Sequence, residues 1–313
     1  MKIAVIGTGG VGGYFGAKLA NAGFDVTFLA RGNHLKAIQN DGLKVKSILG
    51  NFEVNNLKAT DKISTISNPN LILLGVKAWQ IKEIRDDIKR ITNSNTTIIP
   101  LQNGVMAAEE LVEKIDKQNI LGGLCRIISK IESPGVINHL GVIPTIVFGE
   151  LDKSANPRLT EIQKVFTIAG IESKISDDIE ADLWRKFIAI CVSGLLAVTK
   201  TTYGELREIK GTRQMMVDLF NEIYAVSQNL NIKIESDFVE KTVSFINTFP
   251  YDSTSSLTRD VWAGKPSEIE YQNGTVVRFG EKFDVPTPIN SFVYNSILPG
   301  EIKARGLNIK NFV

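Results

Sequence analysis

The chain has 313 residues, about twice the usual length of one domain, so two domains are expected. Hydrophobic residues make up 43% and charged residues 22%, the mix of a folded globular protein, which argues against a disordered chain. The formal net charge of +2 comes with no dense Lys/Arg block, which disfavours nucleic acid or an anionic membrane as main partner and leaves room for a local phosphate pocket.

The opening MKIAVIG carries an apolar run too short for a signal-peptide core or a membrane span, so it reads as a buried strand and the protein as cytoplasmic. Strand-like 2–6 is followed by helical spacing over 10–22 (Val11, Phe15, Leu19, Ala22) and strand-like 25–29. Buried strands over 70–76 and 96–101 each precede a helix-like stretch, at about 79–92 and 105–115. Apolar strands without strict alternation, separated by helices, predict a parallel sheet covered on both faces. Residues 119–149 are β-rich with a turn at Ser133-Pro134-Gly135, and read as antiparallel strands extending that sheet. A helix near 157–169 and a strand at 171–175 close the first half. Beyond about 178 the pattern is helical: one long apolar face over 178–199, then 212–230, 235–248, 266–282 and 286–297, with a polar loop at 249–256.

Cys125 and Cys191 lie in apolar runs without CxxC spacing and are expected as reduced, buried thiols. His34 and His139, the only histidines, are too isolated to supply a metal site, so none is expected.

Gly7-Thr8-Gly9-Gly10-Val11-Gly12 matches G-x-G-x-x-G directly after the first strand and at the start of a helix. In that context Gly7 allows a tight turn, Gly9 lets the backbone approach a pyrophosphate, and Gly12 lets helix and strand pack closely. Free N–H groups at the helix start favour the negative charge. The expected fold is an α/β Rossmann-type N-terminal domain over 1–177 with an all-α C-terminal domain over 178–313. After the second strand comes Leu29-Ala30-Arg31, with no acid for a ribose 2′-hydroxyl. Arg31 suits a 2′-phosphate through charge-assisted hydrogen bonds, which points to NADP(H).

Further landmarks are Val76-Lys77-Ala78-Trp79-Gln80, Asn103-Gly104, Trp184-Arg185-Lys186, Ser256, and Ser267-Glu268-Ile269-Glu270 with Asn273-Gly274. In this order they resemble the ketopantoate reductase (2-dehydropantoate 2-reductase) family over nearly the whole chain. Lys186 lies on an otherwise apolar helix, which by itself fits either a charge reaching for the surface or a buried, functional ammonium. The resemblance makes it the catalytic lysine: an ammonium can bond a ketone oxygen and protonate the developing alkoxide. Glu268 alone reads as an acid at a helix N-terminus; the resemblance places it at the site, orienting reactants. Asn103 and Lys77 follow buried strands, and the resemblance assigns Lys77 to cofactor or substrate and Asn103 to nicotinamide or substrate. Ser256 resembles the serine that bonds the substrate carboxylate, although a loop-capping role is open to it.

The resemblance thus implies NADPH-dependent reduction of a 2-oxo acid to a 2-hydroxy acid, ketopantoate to pantoate in pantothenate biosynthesis; relatives of this kind occur as monomers and as dimers, and a homodimer is the expectation over a monomer. One departure stands out. The family carries asparagines four and eight residues after the lysine, and here these are Ile190 and Gly194. Those positions share a helix face with Lys186, and Ser193 offers partial compensation. The departure leaves oxo-acid reduction intact and opens a more apolar 2-oxo acid as an alternative substrate. A separate alternative, a non-catalytic NADP(H)-sensing protein, is disfavoured by Lys186 and Glu268 being retained together.

Overall fold

The computed structural model describes residues 1–308. The chain divides into two compact units, 1–102 with 106–179, and 103–105 with 180 onward.

In the first unit, β1 (Lys2–Ile6), α1 (Gly10–Asn21), β2 (Asp25–Leu29), α2 (Gly32–Asp41), β3 (Leu43–Ser47), β4 (Phe52–Val54), β5 (Lys58–Thr60), β6 (Leu71–Leu74), α3 (Ile81–Ile91), β7 (Thr97–Pro100) and α4 (Ala107–Val112) follow in order. They precede β8 (Leu121–Ser133), β9 (Val136–Glu150), α5 (Pro157–Ile168) and β10 (Glu172–Ile175). Five strands form a parallel sheet in the order β5-β2-β1-β6-β7. Every residue of β6 and β7 is buried, as the unbroken apolar runs LILL and TIIP require of a central parallel sheet. α3 covers one face through Ile81, Ile84, Ile88 and Ile91, a stripe at helical period. Glu83 in its first turn and Lys89 and Arg90 in its last complement the helix dipole.

The strands over 119–149 join this sheet only through one isolated parallel bridge, Ile120 to Ile98 of β7, and otherwise belong elsewhere. β8 pairs antiparallel with β9, and β9 joins a second sheet in the order β10-β9-β3-β4. The lower half of β9 takes β3 and the upper half takes β10, both in parallel register, so its long edge is shared by two partners. β3 buries Leu43 and Val45 and exposes Lys44 and Lys46, the alternation of a strand with one wet face.

The second unit is helical: α6 (Ile179–Ile190, whose first residue belongs to the first unit), α7 (Val192–Thr199), α8 (Tyr203–Glu208), α9 (Lys210–Asn229), α10 (Phe238–Asn247), α11 (Ser256–Trp262), α12 (Asn273–Phe283) and α13 (Pro288–Ala304). Phe187, Leu195, Leu219, Phe220, Ile223 and Val293 are fully buried at its centre. The expected single helix over 178–199 is interrupted at Cys191, and the expected helix over 266–282 is replaced by a short 3-10 turn over 269–271 and then α12. Side chains from elsewhere in the unit accept the interruption at Cys191: Asn273 donates to the Cys191 carbonyl, Thr258 to that of Ser193, and Trp262 to that of Ala197. Satisfying such carbonyls removes the penalty a helix break would otherwise carry in a core. Neither cysteine is in a disulfide, and both are buried. No helix among the described residues is long and apolar enough to cross a membrane.

Candidate active site

The glycine loop joins the carboxyl end of β1 to α1. Gly7 has φ +98°, a conformation side-chain-bearing residues rarely adopt, and an added Cβ would lie 2.5 Å from the Val76 nitrogen. A Cβ at Gly12 would lie 2.2 Å from the Gly7 carbonyl oxygen, so α1 approaches the loop too closely for any side chain. At Gly9 the nearest atom to such a Cβ is 4.0 Å away, leaving that side of the loop open. Gly9 caps α1 with no side-chain hydrogen bond, and no acid occupies the first turn. These features fit a pyrophosphate: open backbone, a helix dipole of the right sign, and no competing anion. Thr8 is pinned by its N–H and hydroxyl to the Leu29 carbonyl at the end of β2, and Val11 packs partly against the core.

Arg31 follows at once, exposed, at the N-cap of α2. Three residues on, His34 accepts a hydrogen bond at Nδ1 from the Gly135 N–H, 3.0 Å away. Burial pushes its pKa down, with the Thr8 backbone offsetting this in part. Lys77 is half-buried three residues beyond β6; its backbone N–H donates to Gln80 and its ammonium lies 5.8 Å from the centre of the Trp79 ring. Gln102 spans the carboxyl ends of β6 and β7, donating to the carbonyls of Leu74 and Val76.

Lys186 is the eighth residue of α6, half-buried beside buried Trp184, Phe187 and Ile188. The helix therefore carries it in its second half, not at its start. Ile190, one turn on, is half-buried. Gly194 is not an open wall: it is buried beyond the break at Cys191, where a Cβ would lie 2.4 Å from Asn273 Oδ1 and 2.6 Å from Val293 Cγ1. The Asn273 amide occupies the space an asparagine at 194 would need. Gly194→Asn should accordingly destabilise the protein by about 1–3 kcal/mol in urea titration, the usual range for an overpacked core; an unchanged midpoint would refute the clash. Ser193 is buried, and its hydroxyl pairs with Tyr203. Burial pushes the Tyr203 phenol up to about 12, with the Ser193 bond opposing, so this pair stays neutral. Ser256 is exposed at the first turn of α11, and its neighbour Ser255 caps the helix by accepting from the Thr258 N–H at 3.1 Å.

Two residues remote in the chain meet within the helical unit. Asn103 donates from Nδ2 to Glu268 Oε2 at 3.0 Å, although 165 positions separate them. Residues 103–105 belong to this unit despite following β7, and Gly104, at φ +98°, lies so near the Tyr271 carbonyl that a Cβ would sit 2.7 Å from it. Glu268 is 5% exposed and precedes the 3-10 turn, so it does not open a helix as its spacing suggested. Among the described residues no group of three or more His, Cys, Asp or Glu could hold a metal. Asn273, His34 and Gln102 escaped the sequence reading as site neighbours; the N-G dipeptide marked Asn273 as a landmark, but nothing in the spacing told what its amide touches.

A glycine loop on a parallel sheet, leading into a helix whose first turn is free of acids, defines a dinucleotide-binding α/β protein. The family model "Ketopantoate reductase PanE/ApbA" matches residues 3–153, and its C-terminal counterpart matches 178–300. The chain belongs to the ketopantoate reductase family, nicotinamide-dependent oxidoreductases acting on a CH–OH group, as the sequence landmarks predicted. It is 27% identical over 300 residues to the uncharacterized oxidoreductase YkpB of Bacillus subtilis, covering 95% of this chain and 98% of that one. It is likewise 27% identical over 295 residues to a 2-dehydropantoate 2-reductase of Pyrococcus horikoshii, covering 94% and 95%. A PanE/ApbA family ketopantoate reductase from Ralstonia eutropha superposes with a TM-score of 0.90 at 28% identity, over 97% of this chain and 100% of that one.

Proposed function

We propose that this protein reduces a 2-oxo acid to a 2-hydroxy acid with NADPH, with 2-dehydropantoate as substrate and pantoate as product. The pairing of Asn103 with the Glu268 carboxylate, in a unit that also carries the half-buried Lys186, supports this most strongly. The glycine loop 7–12, with Arg31 and Lys77, would hold the cofactor. When bound, the nicotinamide supplies the hydride that ends on C2 of the acid. Lys186 donates a hydrogen bond to the C2 carbonyl oxygen and gives up a proton as the alkoxide forms, so hydride and proton together complete the alcohol. Glu268 and Asn103, each fixing the other, orient substrate or nicotinamide, and Ser256 offers its hydroxyl to the substrate carboxylate.

Ile190 favours a second reading of the substrate, a branched 2-oxo acid without the hydroxyl of ketopantoate. An isoleucine next to that hydroxyl would leave it without a partner, at a cost of about 1–3 kcal/mol. The non-catalytic sensor is set aside by membership of an oxidoreductase family. The same reading places the protein in the cytoplasm and expects a homodimer, which light scattering would show.

A panel of 2-oxo acids, each assayed with NADPH and NADH, tests both readings. Turnover of none of them would end the proposal, and a preference of several orders of magnitude for ketopantoate would end the second reading. Cofactor choice turns on Arg31. Charge-assisted hydrogen bonds contribute about 1.5–3 kcal/mol each, so Arg31→Ala should weaken NADPH binding about 10- to 100-fold while NADH binding changes little. Equal losses for both cofactors would show that Arg31 does not read a 2′-phosphate.

A further inference from the structure

Glu301 lies in the last turn of α13, where the helix dipole disfavours a negative charge, and it is only 4% exposed. A buried carboxylate there requires strong local partners. It has them. The Ser267 N–H donates to both carboxylate oxygens, at 3.1 and 2.9 Å, and the Ser267 hydroxyl donates at 2.7 Å. Arg305, one turn on, donates to Glu301 at 2.6 Å and to the Ser267 carbonyl at 2.8 Å. The N–H, hydroxyl and carbonyl of Ser267 are thus all taken by two side chains, Glu301 in α13 and Arg305 just beyond its end. The next residue is Glu268.

We propose that Glu301 and Arg305 are positioning residues that hold the Ser267 peptide and thereby aim the Glu268 carboxylate at Asn103. This rests on the functional reading above, in which Glu268 and Asn103 orient the reactants. The backbone supports it. The sequence pattern favours one continuous helix over 266–282, yet Glu268 has φ −94°, ψ 21° and Gln272 has φ −111°, ψ −104°, both off the helical path. In a helix over 266–282 the Ser267 carbonyl would accept from the Tyr271 N–H four residues on, whereas here Arg305 occupies that carbonyl and the Tyr271 N–H donates to the Glu268 carbonyl instead. Releasing the clamp frees the segment to wind toward the helix its sequence prefers, which turns the Glu268 side chain away from Asn103.

The test has one arm that needs turnover and one that does not. Supporting groups behind reactive side chains are worth about 10- to 100-fold, so Glu301→Gln should lower kcat by that factor and leave the KM for NADPH within about twofold. Arg305→Lys, which keeps the charge but not the paired donors, should fall between. In a Glu268→Ala background, Glu301→Gln should lower kcat no further, because the route through Glu268 is already gone. Additive losses would overturn the proposal, since a purely structural defect acts in either background. The other arm follows the Asn103 side-chain amide by NMR, assigned through its disappearance in Asn103→Ala. Glu301→Gln should move that signal toward its position in Glu268→Gln, and an unmoved signal would overturn the proposal. Ser267→Ala, which deletes only the hydroxyl, serves both arms if Glu301→Gln does not fold. Absence of turnover in the parent protein would defeat the functional reading, while the amide signal would still decide the clamp.

Discussion

Lys186→Ala should lower kcat by about 10²- to 10⁴-fold and leave NADPH binding intact, the range expected when a positioned general acid is removed. The cofactor-holding residues proposed here all lie at or before Asn103, so a change at 186 removes none of them. What it removes is the ammonium, set on α6 between buried Trp184 and buried Phe187. Those neighbours restrict how the long side chain can turn, and they lower the local dielectric in which it meets a developing alkoxide. Lys186→Arg should be nearly as inactive, because guanidinium keeps the charge but does not release a proton near neutral pH. Stopped-flow turnover together with NADPH fluorescence titration separates the two effects. Equal rates in parent and variant would remove the proposed proton donor.

The second large effect separates two glycines three residues apart. Gly9→Ala should leave the melting temperature unchanged and weaken NADPH binding by about 100-fold. The nearest protein atom to its new Cβ, the Gly75 carbonyl oxygen, is 4.0 Å away, and the space it fills is where a pyrophosphate would approach the backbone. Gly12→Ala should damage both. Its Cβ would fall 2.2 Å from the Gly7 carbonyl and 3.0 Å from Val5, and neither the loop backbone nor the buried strand can retreat without moving α1. Overpacking of this kind costs about 1–3 kcal/mol of stability, with affinity lost as the loop shifts. Thermal unfolding with and without NADPH reads both quantities at once. If Gly9→Ala bound NADPH as tightly as the parent, the loop would not be the cofactor cradle.

How much of this could be read from the sequence depends on how far apart the interacting residues lie. The glycine loop is contiguous and sits between an apolar run and a helical pattern, so its geometry is legible from spacing alone. Arg31 is legible for the same reason, two residues beyond β2. Helix α2 and the short strands β3, β4 and β5 are not legible in the sequence, although Leu43 and Val45 alternate with two lysines; strands of three to five residues carry too little signal beside longer apolar runs. The break at Cys191 is hidden because FIAICVSGLLAV reads as one apolar helix, and the donors that accept the break, Asn273, Thr258 and Trp262, come from far along the chain. Gly194 reads as a lost asparagine and turns out to be a packing glycine. The Asn103–Glu268 pair spans 165 positions, which only the fold can join. Glu301 and Arg305 lie beyond the last expected helix, 286–297, and only the longer α13 and the burial of Glu301 against Ser267 reveal their pairing.

The most direct measurement follows the hydride itself. The protein would be incubated with NADPH deuterated at the transferring position of the nicotinamide and with ketopantoate or a branched 2-oxo acid, and the product analysed by mass spectrometry and NMR. The account predicts a 2-hydroxy acid carrying one deuterium at C2, formed in step with cofactor oxidation. Cofactor that binds but leaves every 2-oxo acid unlabelled and unreduced would contradict it.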